Sequence, residues 1–283
     1  MNIAVIGLGL IGGSIAKTIK KHMPQHTVLG SDINPQVVMK ARLLEAIDAE
    51  LTPERLSICD MVLIATWPQT AIDYVTENAG LIRKGATVID LCGVKRAVCG
   101  PLFQVAAENG FLFVGGHPMA GIEYSGFDHA SANLFQNASM ILTPPQGATI
   151  QTLAELKHFF RELGFGKVVM TTPEEHDRVI GYTSQLAHVV SSAYVKSPEA
   201  MEHHGFSAGS FRDMTRVARL SPKMWTELFM FNREPLLGEL DALIAHLTEY
   251  REALANADAD RMHQLLQEGT ERKEIVDRKG DEP

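Results

Sequence analysis

Three glycines near the start of the chain have a spacing that suits the binding of phosphate groups. Gly7, Gly9 and Gly12 follow a short apolar run and precede a helix-like segment. In such a turn the first glycine permits a tight bend, the second lets a pyrophosphate approach the backbone, and the third lets the helix pack closely on the strand. The spacing therefore predicts a strand, a dinucleotide-binding turn and a helix.

The cofactor predicted for this turn is NAD. The N–H groups of Leu10, Ile11 and Gly12 would point at the phosphates from the helix N-terminus. Asp32, at the end of a second β-branched stretch, would accept hydrogen bonds from the ribose hydroxyls, and its charge would repel a 2′-phosphate. The sequence therefore favours NAD over NADP. The alternative is a βαβ unit whose turn holds no ligand.

Strands and helices alternate through the first half of the chain. After the glycine turn, the pattern predicts helices at residues 35–44, 71–79 and 97–109, and strands at 61–65, 86–90 and 111–114. Such alternation predicts an α/β fold with a Rossmann-type, doubly wound and mostly parallel sheet. A helix at 150–162 and a strand at 166–170 follow, and beyond Thr172 only helices are predicted. We therefore expect an NAD-binding domain at residues 1–171 and an all-helical domain at 172–283.

Two predicted strand ends carry residues suited to a site, because ligands of this fold lie beyond the carboxyl ends of the strands. Thr66 follows one strand and is expected to touch the cofactor. His117 follows another, between two glycines and Pro118, in a tight backbone that could aim a group with a pKa near neutrality at a substrate. The alternative for His117 is a loop histidine whose hydrogen bonds are made by the backbone.

The helix that begins at Pro173 carries small and polar residues at a spacing of three or four positions: Asp177, Gly181, Ser184 and His188. Residues at that spacing share one helix face, so the stripe could line a cleft. The alternative is a buried histidine with satisfied hydrogen bonds in a packed helix pair.

Further basic and apolar residues follow in the helical half. Arg212 and Arg216 are one helical turn apart and could face one anionic ligand, whereas Arg219 is assigned to a solvated face. Amphipathic helices are predicted at 235–254 and 258–276. So much apolar surface in helices alone suggests dimerisation, that is, pairing with another subunit.

Composition limits the other possibilities. The chain has 283 residues, 45% hydrophobic and 21% charged, as is usual for a globular protein, and a net charge of -8, so we expect no nucleic-acid partner. Its three cysteines lack metal-binding or CxxC spacing, and nothing else indicates a metal; we interpret them as reduced thiols of a cytoplasmic protein. The first strand starts at residue 2 and no apolar run reaches transmembrane length, so we expect neither a signal peptide nor a membrane partner.

Five motifs occur together in the chain and in one order: GLGLIGGS at residues 7–14, HPMAG at 117–121, NLF at 133–135 with LTP at 142–144, EHD at 175–177, and SFRDMTR at 210–216. This combination resembles the prephenate and arogenate dehydrogenases of tyrosine biosynthesis, from the first strand to about Glu274. The resemblance implies NAD-dependent oxidative decarboxylation of prephenate, arogenate or both. It also implies a homodimer joined through the helical domain and an active site between the domains.

The resemblance assigns roles to individual residues. The family's catalytic histidine falls on His117, and a substrate-binding histidine falls on His188. A carboxylate-binding arginine falls on Arg216, and an aromatic residue near the substrate falls on Trp225. These four, with Arg212, Gln185 and Gly93, are the residues expected to act on the substrate or line its site.

Two positions depart from the family pattern. Gly93 stands where the family usually has serine, which leaves the partner of His117 open, with Cys92 or a water as candidates. Gln185 stands where the family often has histidine and is still able to hydrogen-bond a substrate. Two other readings therefore stay open: another NAD(P)-dependent hydroxyacid or imino-acid reductase of the same layout, and a non-catalytic NAD-binding regulator.

Overall fold

The computed structural model describes residues 1–280 of the chain, with side chains to residue 278, so residues 281–283 of the predicted helical domain lie outside the described part. Eight strands form one sheet in the order β3-β2-β1-β4-β5-β6-β7-β8. The strands are β1 Asn2–Ile6, β2 Thr27–Ser31, β3 Ala49–Glu50, β4 Met61–Ile64, β5 Thr87–Asp90, β6 Leu112–Met119, β7 Ser139–Thr143 and β8 Lys167–Met170. Every neighbouring pair is parallel except β6 with β7. The predicted doubly wound, mostly parallel sheet is confirmed.

Helices cover both faces of this sheet: α1 Leu10–His22, α2 Pro35–Leu43, α3 Pro68–Asn78, α4 Arg96–Asn109 and α5 Ile150–Glu162. Strand β1 shows why both faces need cover. Ile3 and Val5 lie in one apolar cluster, while Ala4 and Ile6 lie in the other. Because successive strand residues point to opposite faces, a strand that is apolar at every position must be buried on both sides.

Strand β6 continues beyond its predicted end at residue 114 and includes His117. The reason is β7, which returns antiparallel and pairs His117 with Ile141. The two glycines before the histidine permit this close packing. A β-carbon on Gly115 would lie 2.1 Å from Thr143 Oγ1, and one on Gly116 would lie 2.6 Å from the Asp90 carbonyl oxygen. His117 is therefore held in the sheet, not in a loop.

The segment after the sheet is helical. It contains α6 Pro173–Ile180, a π-helical segment Gly181–Leu186, α7 Ala187–Tyr194, α8 Gly209–Thr215 and α9 Pro222–Phe231. Helix α6 begins as its sequence predicts, because the Thr172 side chain accepts a hydrogen bond from the Glu175 N–H at 3.2 Å. Among residues 1–280, no strand follows Met170.

The chain divides into two compact units, Met1–Arg233 and a unit that begins at Glu234. Helices α6 to α9 thus share the first unit with the sheet. The second unit holds α10 Arg233–Ala255, apart from its first residue, and α11 Ala259–Gly280. These two helices form a hairpin in which the Tyr250 hydroxyl donates to the Leu265 carbonyl at 3.2 Å. Within the described residues, no helix combines the length and the apolar character that a membrane span requires.

Candidate active site

The glycine turn joins β1 to α1, and each glycine is explained by its surroundings. Gly7 has φ +83°, and a β-carbon there would lie 2.6 Å from the Ala65 carbonyl oxygen. A β-carbon on Gly12 would lie 1.9 Å from the Gly7 carbonyl oxygen, so the helix packs against the turn at backbone distance. A β-carbon on Gly9 would meet nothing within 4 Å, which leaves open space in front of the turn. A dinucleotide pyrophosphate needs that open space and that close packing.

Donors and a carboxylate flank this open space. Leu10, Ile11 and Gly12 form the first turn of α1, whose N–H groups precede the first helical hydrogen bonds. The Asp32 carboxylate accepts the Leu8 N–H at 2.8 Å through Oδ2 and the Asn34 N–H at 2.9 Å through Oδ1. Each carboxylate oxygen can accept a further hydrogen bond, as a ribose diol requires.

Thr66 lies beside the glycine turn, just after β4. Its Cγ2 would be 3.0 Å from a β-carbon on Gly7. The neighbouring Trp67 ring lies under the Lys223 ammonium of α9, at 4.9 Å from the ring centroid. Glu227, also of α9, accepts the Gln69 N–H at 2.8 Å. Helix α9 therefore docks at the carboxyl edge of the sheet, next to the cofactor turn.

His117 is one end of a chain of hydrogen-bonded side chains. Its Nδ1 lies 2.9 Å from His176 Nε2, and His176 Nδ1 lies 2.7 Å from Asp177 Oδ1. Asp177 also accepts two backbone N–H groups, from Lys95 at 2.7 Å and from Arg96 at 2.8 Å. His176 and Asp177 are buried, whereas part of the His117 surface is accessible.

A buried ion pair supports the strand that carries His117. The Lys95 ammonium pairs with the Asp90 carboxylate, and both side chains are wholly inaccessible to solvent. Lys95 also donates to the Gly116 carbonyl at 2.6 Å, and Asp90 accepts the N–H groups of Cys92 at 3.0 Å and Gly116 at 3.3 Å. The residue before His117 is thereby tied to the loop after β5.

The surroundings of His117 oppose its protonation. Burial lowers the pKa of His117 well below its usual value of 6.5, and the neighbouring His176 and Lys95 lower that pKa further. Desolvation disfavours the charged form of an imidazole, and the nearby ammonium acts in the same direction. The ring is therefore neutral at physiological pH and able to accept a proton.

The second nitrogen of His117 faces Gly93. A β-carbon on Gly93 would lie 3.9 Å from His117 Nε2 and 3.4 Å from Leu228 Cδ2. The partner that the sequence left open is His176, on the Nδ1 side. Cys92 does not serve as that partner, since its thiol donates to the Thr66 carbonyl at 3.5 Å, and burial raises the pKa of that thiol well above its usual value.

Helix α9 connects the His117 region to the predicted substrate-binding residues. Leu228 faces Gly93, and Trp225 lies three positions earlier on the same helix face. The Trp225 ring packs on the His188 ring with centroids 4.0 Å apart. Because one helical turn spans about 5.4 Å, α9 brings His188 and Trp225 close to the region around His117 Nε2.

Arg216 directly follows the last residue of α8 and is close enough to His188 for its charge to shift the pKa of that ring. Burial lowers the pKa of His188, the hydrogen bond from its Nδ1 to the Ser184 carbonyl raises it, and the Arg216 charge lowers it. Arg212 lies one turn earlier on α8 and is exposed. The structure thus brings His188 and Trp225 together and places Arg216 where its charge acts on His188, and Arg216 is exposed like Arg212.

Gln185 is buried, and its amide bonds to α9. Its oxygen accepts from Asn232 at 2.7 Å, and its nitrogen donates to the Leu228 carbonyl at 3.4 Å. Asn232 in turn donates to the Asp177 carbonyl at 2.9 Å. In this arrangement both polar atoms of the Gln185 amide are engaged within the protein, one of them by the backbone at Leu228.

The sequence reasoning missed the roles of His176, Lys95 and Leu228. The EHD motif was visible, and Asp177 was placed on a helix stripe that could line a cleft or pack in a helix pair. Its carboxylate instead accepts the backbone N–H groups of Lys95 and Arg96 at the start of α4. The five-residue spacing of Asp90 and Lys95 is visible in the sequence, but it does not show that the two side chains form a buried ion pair. The π-helical segment has more residues per turn than an α-helix. The polar residue of this segment that faces the interior is therefore Gln185, whereas the spacing of an α-helix predicted Ser184.

Comparison with known proteins agrees with this geometry. A family model described as the nucleotide-binding domain of prephenate dehydrogenase matches residues 15–170. A second model, described as the dimerization domain of prephenate dehydrogenase, matches residues 172–268. The glycine turn itself precedes the first matched residue, so it supports the assignment independently.

Individual relatives match over nearly the whole chain. Prephenate dehydrogenase of Bacillus subtilis is 34% identical over 92% of this chain and 72% of its own length. Cyclohexadienyl dehydrogenase of Zymomonas mobilis is 33% identical over 94% of this chain and 93% of its own. The structure of prephenate dehydrogenase from A. aeolicus with hydroxyphenyl propionate and NAD+ is 28% identical, covers 98% of both chains and has a TM-score of 0.85. With this fold, this site and these matches, the chain belongs to the prephenate dehydrogenase family.

Proposed function

We propose that this chain catalyses the NAD-dependent oxidative decarboxylation of prephenate to 4-hydroxyphenylpyruvate, of arogenate to tyrosine, or of both, in tyrosine biosynthesis. The observation that carries the proposal is the placement of His117, whose Nδ1 is engaged by His176 and whose Nε2 faces Gly93. It lies in β6, just past the end of the neighbouring parallel strand β5. This is the carboxyl edge of the sheet, which also carries the glycine turn. The relatives that are prephenate and cyclohexadienyl dehydrogenases support the same chemistry.

The residues that would hold NAD fit its shape and charge. The turn from Gly7 to Gly12 would receive the pyrophosphate, with the N–H groups of Leu10 and Ile11 directed at it. Asp32 would accept the ribose hydroxyls, and Thr66 would contact the cofactor beside the turn. When bound, NAD supplies the acceptor for a hydride.

His117 would accept the proton of the substrate's ring hydroxyl. The reaction removes a hydride from the hydroxyl-bearing ring carbon and the proton from its hydroxyl oxygen, and carbon dioxide leaves as the ring becomes aromatic. Both substrates have the ring carboxylate opposite the hydroxyl, so a base at the hydroxyl is the group that the chemistry requires. A protonated His117 would instead favour loss of the hydroxyl as water, which is why its neutral state matters.

The other candidate residues would bind and orient the substrate. Arg216 would hold a substrate carboxylate through charge-assisted hydrogen bonds, and Arg212 would contribute to the same anion. His188 and Trp225 would line the substrate site beside Arg216. Gly93 would leave space next to His117 Nε2, and Gln185 would act through its bonds to α9.

The chain is proposed to act in the cytoplasm as a homodimer. Support for the dimer is the match of residues 172–268 to a dimerization domain, and the exposure of leucines in the α10–α11 hairpin. Leu247 is 57% exposed, Leu254 is 71% exposed, and Leu266 is 57% exposed. The three buried free cysteines suit a reducing compartment. The functional boundary is proposed at residues 171/172, supported by family matches that end at 170 and begin at 172.

The proposal is tested by one assay with separate substrates. The purified chain is incubated with NAD or NADP and with either prephenate or arogenate, reduction of the cofactor is followed, and the aromatic product is identified. We expect reduction with NAD to exceed that with NADP, because Asp32 would repel a 2′-phosphate. Tight NAD binding without reduction on either substrate would contradict the proposal and favour a regulator.

The pH dependence of the reaction should report the neutral state of His117. An unperturbed histidine titrates at about 6.5, but burial, with His176 and Lys95, holds the pKa of His117 well below that value. A lowered pKa means that the neutral base persists as pH falls, so kcat/KM should stay level through 6.5 and drop only at lower pH. Initial rates measured across the acidic range check this, with NAD binding measured at each pH as the control. A midpoint at 6.5 or above would contradict it.

A further inference from the structure

We propose that His176 is a positioning residue which, with Asp177, selects the tautomer of His117 and makes Nε2 the nitrogen that accepts the substrate proton. This inference rests on the proposed function and adds the atom at which the proton is received. It also explains how His117 is oriented in a chain that has glycine at position 93.

Asp177 is the buried end of the chain of hydrogen bonds. The groups at the Asp177 oxygens are the backbone N–H groups of Lys95 and Arg96 and the imidazole Nδ1 of His176, at 2.7 to 2.8 Å. An ionised carboxylate only accepts hydrogen bonds, and here two of its partners are obligatory donors. His176 Nδ1 must therefore carry a hydrogen and donate it to Asp177.

The tautomer of His117 follows from that of His176. A neutral imidazole has one N–H donor and one acceptor nitrogen, so His176 Nε2 is an acceptor. The atom 2.9 Å from it is His117 Nδ1, which must then be the donor. In neutral His117 the lone pair consequently resides on Nε2.

Neutrality of both rings is consistent with their surroundings. Burial lowers the pKa of His176 in spite of its hydrogen bond to Asp177, and it lowers the pKa of His117. The charged groups packed around the pair are Asp177 on α6, Lys95 before α4 and Asp90 at the end of β5. Lys95 and Asp90 form an ion pair of zero net charge, which holds β6 in place. The charge that decides which nitrogens of the two histidines carry hydrogen is therefore that of Asp177.

The side of His117 that bears the lone pair is suited to a substrate hydroxyl. Gly93 lies beside Nε2, and the apolar end of Leu228 packs against Gly93. Neither side chain offers a hydrogen-bond donor that would compete for the lone pair. The orientation of the ring is therefore determined from the Nδ1 side, through His176.

Two variants at position 176 separate a positioning role from a packing role. His176→Phe keeps an aromatic ring but removes the acceptor, whereas His176→Gln keeps an oxygen that can accept the His117 Nδ1–H. We expect kcat to fall about 10- to 100-fold in the phenylalanine variant, because a free imidazole populates both tautomers and loses its fixed orientation. The glutamine variant should recover at least about tenfold of that loss. The KM for substrate and the affinity for NAD should stay within about threefold of the original in both.

A measurement on the unmodified protein makes the proposal independent of the folding of these variants. Nitrogen-15 NMR of histidine-labelled protein, with the His117 signals assigned from a His117→Asn sample, distinguishes the two tautomers. We expect Nδ1 to carry the hydrogen in neutral His117. Observation of hydrogen on Nε2, or equal kcat for the phenylalanine and glutamine variants at near-normal turnover, would overturn the proposal.

Failure of this inference can be told apart from failure of the proposed function. If His117→Asn retains turnover, the function of His117 itself is wrong, whatever the tautomer. If His117→Asn is inactive while His176→Phe is as active as the unmodified chain, only the role of His176 is refuted.

Discussion

Replacing His117 by asparagine is expected to lower turnover by about two to four orders of magnitude, with NAD binding retained. Asparagine retains hydrogen-bonding capacity but cannot take up the hydroxyl proton. NAD affinity should survive, because the cofactor is proposed to be held by the glycine turn, Asp32 and Thr66. His117 instead hydrogen-bonds to His176. Steady-state rates with saturating NAD and substrate, and NAD titration by fluorescence, give the two quantities.

A matched substitution controls for the loss of a histidine in general. His158 lies on α5 with 76% of its side chain exposed, and His158→Asn is expected to leave both turnover and NAD binding unchanged. Near-normal turnover of His117→Asn, beside an unaffected His158→Asn, would show that His117 is not the base.

Replacing Arg216 by alanine is expected to raise the KM for substrate about 100-fold while kcat changes by less than about fivefold. The guanidinium would hold a carboxylate that remains charged throughout the reaction, so its contribution is the same in the bound substrate and in the transition state. Loss of such uniform binding appears in KM and leaves kcat nearly intact. Initial rates over a wide range of substrate concentration measure both constants.

Neighbouring arginines serve as comparisons for this variant. Arg219 is exposed in the loop after α8, and Arg219→Ala should leave KM unchanged. Arg212→Ala should raise KM by less than Arg216→Ala, because the structure brings only Arg216 near His188. A larger loss in kcat than gain in KM for Arg216→Ala would assign Arg216 to chemistry or to structure.

Local features of the chain were sufficient to predict the sheet and the cofactor turn. The spacing of Gly7, Gly9 and Gly12 lies within one strand, one turn and one helix, so it is visible locally, although the carbonyl oxygen that excludes a side chain at Gly7 belongs to Ala65 after β4. The alternation of apolar strands with helical segments likewise needs no knowledge of distant contacts, because each pattern reflects the burial of its own element. The end of β6 was predicted wrongly for the opposite reason, since its continuation to Met119 depends on pairing with β7.

The amino-acid sequence alone determined that the protein has a Rossmann-type sheet, a dinucleotide turn with Asp32 after it, and a histidine at position 117 suited to proton transfer. Only the tertiary structure decided what that histidine can do. Its partner His176 lies 59 positions away, and both are aligned by a buried Lys95 and Asp90 that no local pattern marks as a pair. The π-helical segment, the docking of α9 and the grouping of α6 to α9 with the sheet are likewise set by packing between distant segments. Periodicity within one segment reports which face is buried, but it carries no information about which other segment covers that face.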